Sequence, residues 1–125
     1  MKFEGTRIIL YANKYQECIC FYENVLNLKM MFATETLTCF EFGGSYLMVE
    51  LDGEFNKEAK SDHNRMCLRM NVSNVQSLVD ELRSKDVEVD YQEHSWGTVA
   101  KFFDPDGNLC AFKDSEKFEK QIQLI

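Results

Sequence analysis

Asp104, Asp106 and Asn108 stand at alternate positions in the run Asp104-Pro105-Asp106-Gly107-Asn108. Three oxygen-bearing side chains at that spacing are how a calcium loop begins. The rest of such a loop is missing: glycine falls at the fourth position instead of the sixth, and Ser115 stands where a bidentate glutamate would close it. The same residues have a second use. Proline pre-sets φ for the second position of a type I turn, aspartate caps the turn, and glycine accepts the positive φ that follows. Val99–Phe103 precedes the run and Leu109–Phe112 follows it, and both read as strands. The stretch predicts a tight β-hairpin and not an ion site.

The other groups capable of chemistry are scattered. Five cysteines, at 18, 20, 39, 67 and 110, form no zinc-type pair, and Cys18 and Cys20 point to different sides of a predicted helix. They fit reduced, mostly buried thiols in a cytoplasmic protein. Cys67 has no histidine beside it to act as a base, so it reads more simply as a small buried hydrophobe than as a nucleophile. His63 falls in a polar linker and His94 at a strand end. Both read as surface or rim residues, with His94 beside Trp96 a candidate for a pocket mouth.

Composition narrows the function classes. The chain has 125 residues, enough for one domain, and is 45% apolar with ten phenylalanines, enough for a core. A net charge of −7 repels phosphate backbones and anionic membranes, so neither nucleic acid nor a membrane is an expected partner. No apolar run reaches the length of a membrane span, and Met1–Gly5 shows no signal-peptide core.

The elements that must position these groups come in a repeated order. Thr6–Ala12 alternates as a strand, with Arg7, Ile9 and Tyr11 on one side. Asn13 is a plausible N-cap for a helix whose apolar stripe is Tyr15, Ile19, Tyr22 and Leu26, ended by Asn27. Strands are predicted at Lys29–Ala33, Leu37–Phe42 and Tyr46–Leu51, with a hairpin at Gly43-Gly44. After a polar linker the order recurs: strand Arg65–Val72, a helix capped by Ser73 or Asn74, then strands Val87–Tyr91, Thr98–Phe103 and Leu109–Lys113. Asp114–Lys120 reads as a short helix or a frayed end. The first strands align at a separation of 60 (67 − 7), so the chain is an internal repeat. The expected organisation is one domain over 1–125: module one at about 1–52, linker 53–62, module two 63–125.

A half-sheet with one helix leaves its other face to meet something. Two such modules would give an α+β fold, a paired, curved mixed sheet of two βαβββ units around a cavity lined by Arg7, Tyr11, Cys67 and Arg69. Arg7 then reads either as a receptor for an anion or as the ion-pair partner of Glu50. Tyr11, Tyr46, Trp96 and Phe40 read as core aromatics, or, clustered at a cavity, as a stacking wall for a flat ligand.

Three stretches carry a family resemblance. Phe21-Tyr22-Glu23-Asn24-Val25-Leu26-Asn27-Leu28 resembles a helix end with Asn27 in place of the usual glycine. Trp96-Gly97-Thr98-Val99-Ala100-Lys101-Phe102 resembles the strand entering a final hairpin, and Asp104–Asn108 matches its turn. In this order they resemble the vicinal oxygen chelate superfamily of glyoxalases, extradiol dioxygenases and bleomycin-resistance proteins. The resemblance implies a divalent metal held at four positions, mostly by His and Glu, as a Lewis acid for a substrate with two adjacent oxygens. Carried over, those positions fall on Arg7, on Cys67 (or Arg65 or Arg69 two residues away), on Ala111, and on Met48 or Glu50. A guanidinium cannot ligate and alanine has no donor atom. The expectation is a small-molecule binder with no metal or other cofactor and no identified catalytic residue. Its ligand, an organic and in part anionic molecule, would meet Arg7, Tyr11, Tyr46, Met48, Glu50, Cys67, Arg69 and Trp96. The resemblance also implies a homodimer. Two alternatives stay open: a metal-dependent lyase, isomerase or dioxygenase with atypical ligands including Glu50, and an interaction module whose cavity is filled by its own side chains.

Overall fold

The computed structural model describes residues 2, 4–51 and 66–123. The linker expected at 53–62, with Lys57 and Glu58, and the residues His63 and Arg65 lie outside the described residues. The chain divides into two compact units, Met1–Asp62 and His63–Ile125. Both are α+β, and each is built on a four-stranded mixed sheet.

The first unit runs β1 (Arg7–Ala12), α1 (Tyr15–Cys20), β2 (Met30–Ala33), β3 (Leu37–Phe42) and β4 (Ser45–Leu51), with sheet order β1-β4-β3-β2. β1 pairs parallel with β4; the two hairpins pair antiparallel. The face of β3 and β4 carrying Thr38, Phe40, Leu47 and Val49 is buried against α1. Tyr15 spans that contact with its hydroxyl 2.9 Å from Thr38 Oγ1, and the Tyr22 and Phe40 rings lie 6.3 Å apart.

Two details differ from the pattern read in sequence. The helix is capped by Lys14 and not Asn13: the Lys14 carbonyl accepts from Cys18 N at 2.9 Å, and no side chain caps this end. Beyond Cys20 the chain widens into a π-turn over Phe21–Val25, in which Leu26 N donates to Phe21 O at 3.1 Å. The extra residue in the turn rotates the stripe, so that adjacent Phe21 and Tyr22 are both buried and meet edge to face at 5.3 Å. Asn27 ends the helix as expected, at φ 57°, while Leu28 N reaches back to Tyr22 O at 2.9 Å.

The second unit runs β5 (Cys67–Val72), α2 (Val75–Ser84), β6 (Asp90–His94), β7 (Gly97–Phe103), β8 (Leu109–Asp114) and α3 (Ser115–Gln123), with sheet order β5-β8-β7-β6. Asn74 caps α2, its side chain accepting from Ser77 N at 3.0 Å. Val75, Val79 and Leu82 are buried, as are Leu68, Ala100, Phe102, Cys110 and Phe112 of the sheet. β6 begins three residues later than Val87. The end of α2 takes the intervening backbone: Asp86 turns at φ 62°, and Asp86 N and Val87 N donate back to Arg83 O and Leu82 O. α3 extends the predicted tail helix to Gln123 and is capped by Asp114, which accepts from Lys117 N at 2.9 Å.

The expected hairpin turn joins β7 to β8. Gly107 N donates to Asp104 O, and Asp104 N to Asn108 O, both at 3.0 Å. The buried Asp104 carboxylate organises the loop: Oδ1 accepts from Asp106 N (2.9 Å) and Asn108 N (2.8 Å), and Oδ2 from Asn108 Nδ2 (2.7 Å). These three bonds commit the Asp104 carboxylate to the turn.

Gly107 sits at φ 86° with open space around its α-carbon. Gly107→Val therefore strains only the backbone, and we expect a loss of about 1–3 kcal/mol, read as a lower Tm in scanning calorimetry. An unchanged Tm would contradict the turn.

Candidate functional site

Strand register decides which side chains share the sheet face turned away from each helix. In the first unit, Arg7, Tyr46 and Glu41 form one cross-strand row; Ile9, Met48 and Cys39 the next; Tyr11, Glu50 and Leu37 the third. In the second unit the rows are Cys67, Leu109 and Phe103; then Arg69, Ala111, Lys101 and Asp90; then Asn71, Lys113, Val99 and Gln92. The first unit's face is largely apolar and aromatic. The second carries three cations.

The register bears on the alternatives Met48 and Glu50. Tyr46 lies opposite Arg7 as Leu109 lies opposite Cys67, so the last strands of the two units correspond at a separation of 63 (109 − 46). Ala111 then corresponds to Met48, and Glu50 to Lys113. The four positions where the resemblance implies metal ligands hold Arg7, Met48, Cys67 and Ala111. Taken unit by unit, neither pair fits a divalent ion: the first offers one thioether, the second one thiol, and neither offers a carboxylate or imidazole. Among the described residues, no group of three or more His, Cys, Asp or Glu is gathered to hold one.

Other candidates fall differently from their sequence reading. Tyr11 (51% exposed), Tyr46 (46%) and Trp96 (44%) are not core residues. Tyr11 and Tyr46 stand on the face that α1 leaves uncovered. Phe40 is fully buried, but on the α1 side of the sheet, so it cannot join a stacking wall with them. Arg7 and Glu50 share a face yet lie four residues apart along the strands, about 13 Å at the usual rise, and no ion pair joins them. Trp96 lies in the turn between β6 and β7, stacked on His94 with centroids 4.6 Å apart and planes 7° from parallel. His94 Nε2 also meets Gln92 Oε1 at 2.8 Å.

The residue that sequence reasoning missed is Lys113. Its alternation with Ala111 along β8 was visible, but a lysine near the chain end reads as solvated. Instead its side chain is buried, with Nζ 3.3 Å from Trp96 O, 3.5 Å from Asp114 Oδ2 and 5.4 Å from the indole centroid. Gly97 makes room for it: at φ 148°, a Cβ there would run into the Lys113 ammonium and the Asp114 carboxylate. Burial raises the Asp114 pKa, but hydrogen bonds from Thr98 N and Lys117 N and the Lys113 charge outweigh it, so the group is held below its ordinary value. A hydrogen bond to the Glu93 carboxylate raises the Tyr91 pKa, with burial and the Glu93 charge adding to it. A separate groove of about 680 Å³ opens beside the end of α2, lined by Arg83, Val87, Val89, Asp90, Lys101 and Phe103 among others.

With this geometry in hand, the family is decided by a model described as the Glyoxalase/Bleomycin resistance protein/Dioxygenase superfamily, which matches residues 6–112. The chain belongs to that superfamily. Solved structures agree on the fold. Glyoxalase I of Leishmania major, described as trypanothione-dependent, superposes with a TM-score of 0.77 at 20% identity, over 98% of this chain and 94% of that one. A lactoylglutathione lyase from Agrobacterium tumefaciens gives 0.71 at 18% identity, over 90% and 93%. A glyoxalase-related enzyme from Fulvimarina pelagi gives 0.73 at 15% identity, over 90% and 88%. No curated protein matches the chain. Among the described residues, no helix is long and apolar enough to cross a membrane.

Two outcomes follow from the Lys113 cluster. Because the Asp114 pKa is depressed in the folded chain, its contribution to stability is complete above the ordinary carboxylate value and is lost as pH falls through the lower folded value. Asp114→Asn should flatten the stability curve in that acidic window, measured by urea unfolding at a series of pH values. Gly97→Ala should cost about 1–3 kcal/mol through backbone strain and shift the emission of Trp96, the single tryptophan, as the ammonium is displaced.

Proposed function

We propose that the protein binds a small organic molecule without using a metal. The observation that carries this reading is the occupation of the four implied ligand positions by Arg7, Met48, Cys67 and Ala111. A ligand that a metal would hold through two oxygens meets a cation of the protein instead. The candidate cations are Arg7 on the first unit and Arg69 on the second, both exposed; neither makes an ion pair with another described residue. On the first unit exposed Tyr11 and Tyr46 offer rings for the flat part of a ligand, with Met48 and Glu50 in the same face; on the second, exposed Trp96 stands in the β6–β7 turn and Cys67 in the face that carries Arg69. Reduced thiols support a cytoplasmic setting: all five cysteines are free. Assembly as a homodimer rests on the family resemblance.

Elemental analysis of protein purified without chelators tests the reading. We expect divalent metal well below one per chain, unchanged by Glu50→Ala. A stoichiometric ion lost on Glu50→Ala would instead establish the competing reading, a metal-dependent lyase, isomerase or dioxygenase with atypical ligands. Native mass spectrometry names the molecule that co-purifies. Arg7→Ala should weaken its binding about tenfold, the usual worth of a charged hydrogen bond, and leave Tm unchanged.

A further inference from the structure

The second row on the outer face of the β5-β8-β7 sheet reads Arg69, Ala111, Lys101. Adjacent strands lie about 4.8 Å apart, so the two cationic residues start roughly 10 Å from each other, on either side of an alanine. Both point to one side of the sheet, because residues paired directly across strands share a face. Neither is ion-paired to another described residue. Lys113, one row further along β8, adds a third positive charge on the same face, already engaged by Trp96 O and Asp114. Asp90 lies beyond Lys101 and limits the charge on that side. In a chain of net charge −7, Arg69 and Lys101 are two neighbouring cations that no described carboxylate reaches at ion-pair distance.

The middle residue gives the row its meaning. Ala111 occupies a position where the superfamily resemblance implies a metal-ligating glutamate. With alanine there, no carboxylate stands between Arg69 and Lys101 in the row. Ala111 is fully buried and carries no charge, so an anion on this row would be met by Arg69, which is exposed, and Lys101, which is half-buried. A guanidinium offers a planar pair of donors that matches two oxygens on one centre, and an ammonium adds a point charge from the other side.

We infer that Arg69 and Lys101, flanking Ala111, form a receptor for an oxyanion, a carboxylate or phosphoryl group on the bound molecule. Fixed side-chain cations take over the charge role a metal ion would have. This inference rests on the metal-free reading above and names the group that reading leaves open.

Isothermal titration of the full chain at low salt tests it with two probes, oxalate for the carboxylate class and inorganic phosphate for the phosphoryl class. We expect at least one to bind, with affinity falling as salt is raised. Arg69→Ala and Lys101→Ala should each weaken binding tenfold or more. Ala111→Glu should abolish it, because the new carboxylate engages both cations. Circular dichroism and Tm verify folding, and if Ala111→Glu does not fold, the two single truncations decide. Oxalate alone assigns a carboxylate, phosphate alone a phosphoryl group, and both support the shared chemistry. Failure of both probes, or unchanged affinity in both truncations, overturns the inference. The metal measurement stands apart: a stoichiometric ion with the anion response intact sinks the metal-free reading and keeps the receptor, while a metal-free protein indifferent to both anions does the reverse.

Discussion

Everything in this chain depends on the parallel pairing of the first and last strands of each unit. β1 against β4, and β5 against β8, fixes which side chains share a face. A slip of one residue would send Arg7 or Arg69 into the helix-packed core, where an unpaired guanidinium could not be tolerated. Burial defends the register. Leu47 and Val49 in the first unit, and Cys110 and Phe112 in the second, have almost no exposed surface. The chemistry of the opposite face is therefore set by packing on the side that does none.

Turned away from the helices, the two opposite faces carry different chemistry. Apolar side chains and two tyrosines occupy much of the first, with Arg7 and Glu50 at separate rows. Arg69, Lys101 and Lys113 dominate the second. Buried Lys113 is tolerated because Trp96 O, the indole face and Asp114 surround its ammonium, and because Gly97 leaves the space. One lysine thereby ties the β6–β7 turn to the last strand.

Much of the fold was legible in the sequence because its signals are local. Alternation placed seven of the eight strands to within a residue or two, Asn27 and Asn74 marked helix ends, and Asp104–Asn108 marked the hairpin. The misses came where neighbours override the local signal. Val87–Val89 alternate like a strand but follow a helix end that takes their backbone. Asn13 looks like a cap, yet the helix starts a residue later. The π-turn, which buries Phe21 beside Tyr22, leaves no trace in a 3.6-residue stripe. Of the candidate site, the residue types at the ligand positions were readable, but the choice between Met48 and Glu50 needed register. The row Arg69, Ala111, Lys101 joins three strands that no single stretch of sequence connects. For Tyr11, Tyr46 and Trp96 the sequence leaves core and stacking wall both open, and only register and exposure take them out of the core.

The correspondence of Glu50 with Lys113 has one more consequence. Matching places in the two halves carry opposite sign, so the halves are no longer interchangeable parts. A chain stitched from two first units would keep the backbone ladders and forfeit every cation of the second face. A chain of two second units would double the cations and lose Tyr11 and Tyr46. The duplication survives as scaffolding, while the surface it displays has become a matched, asymmetric pair.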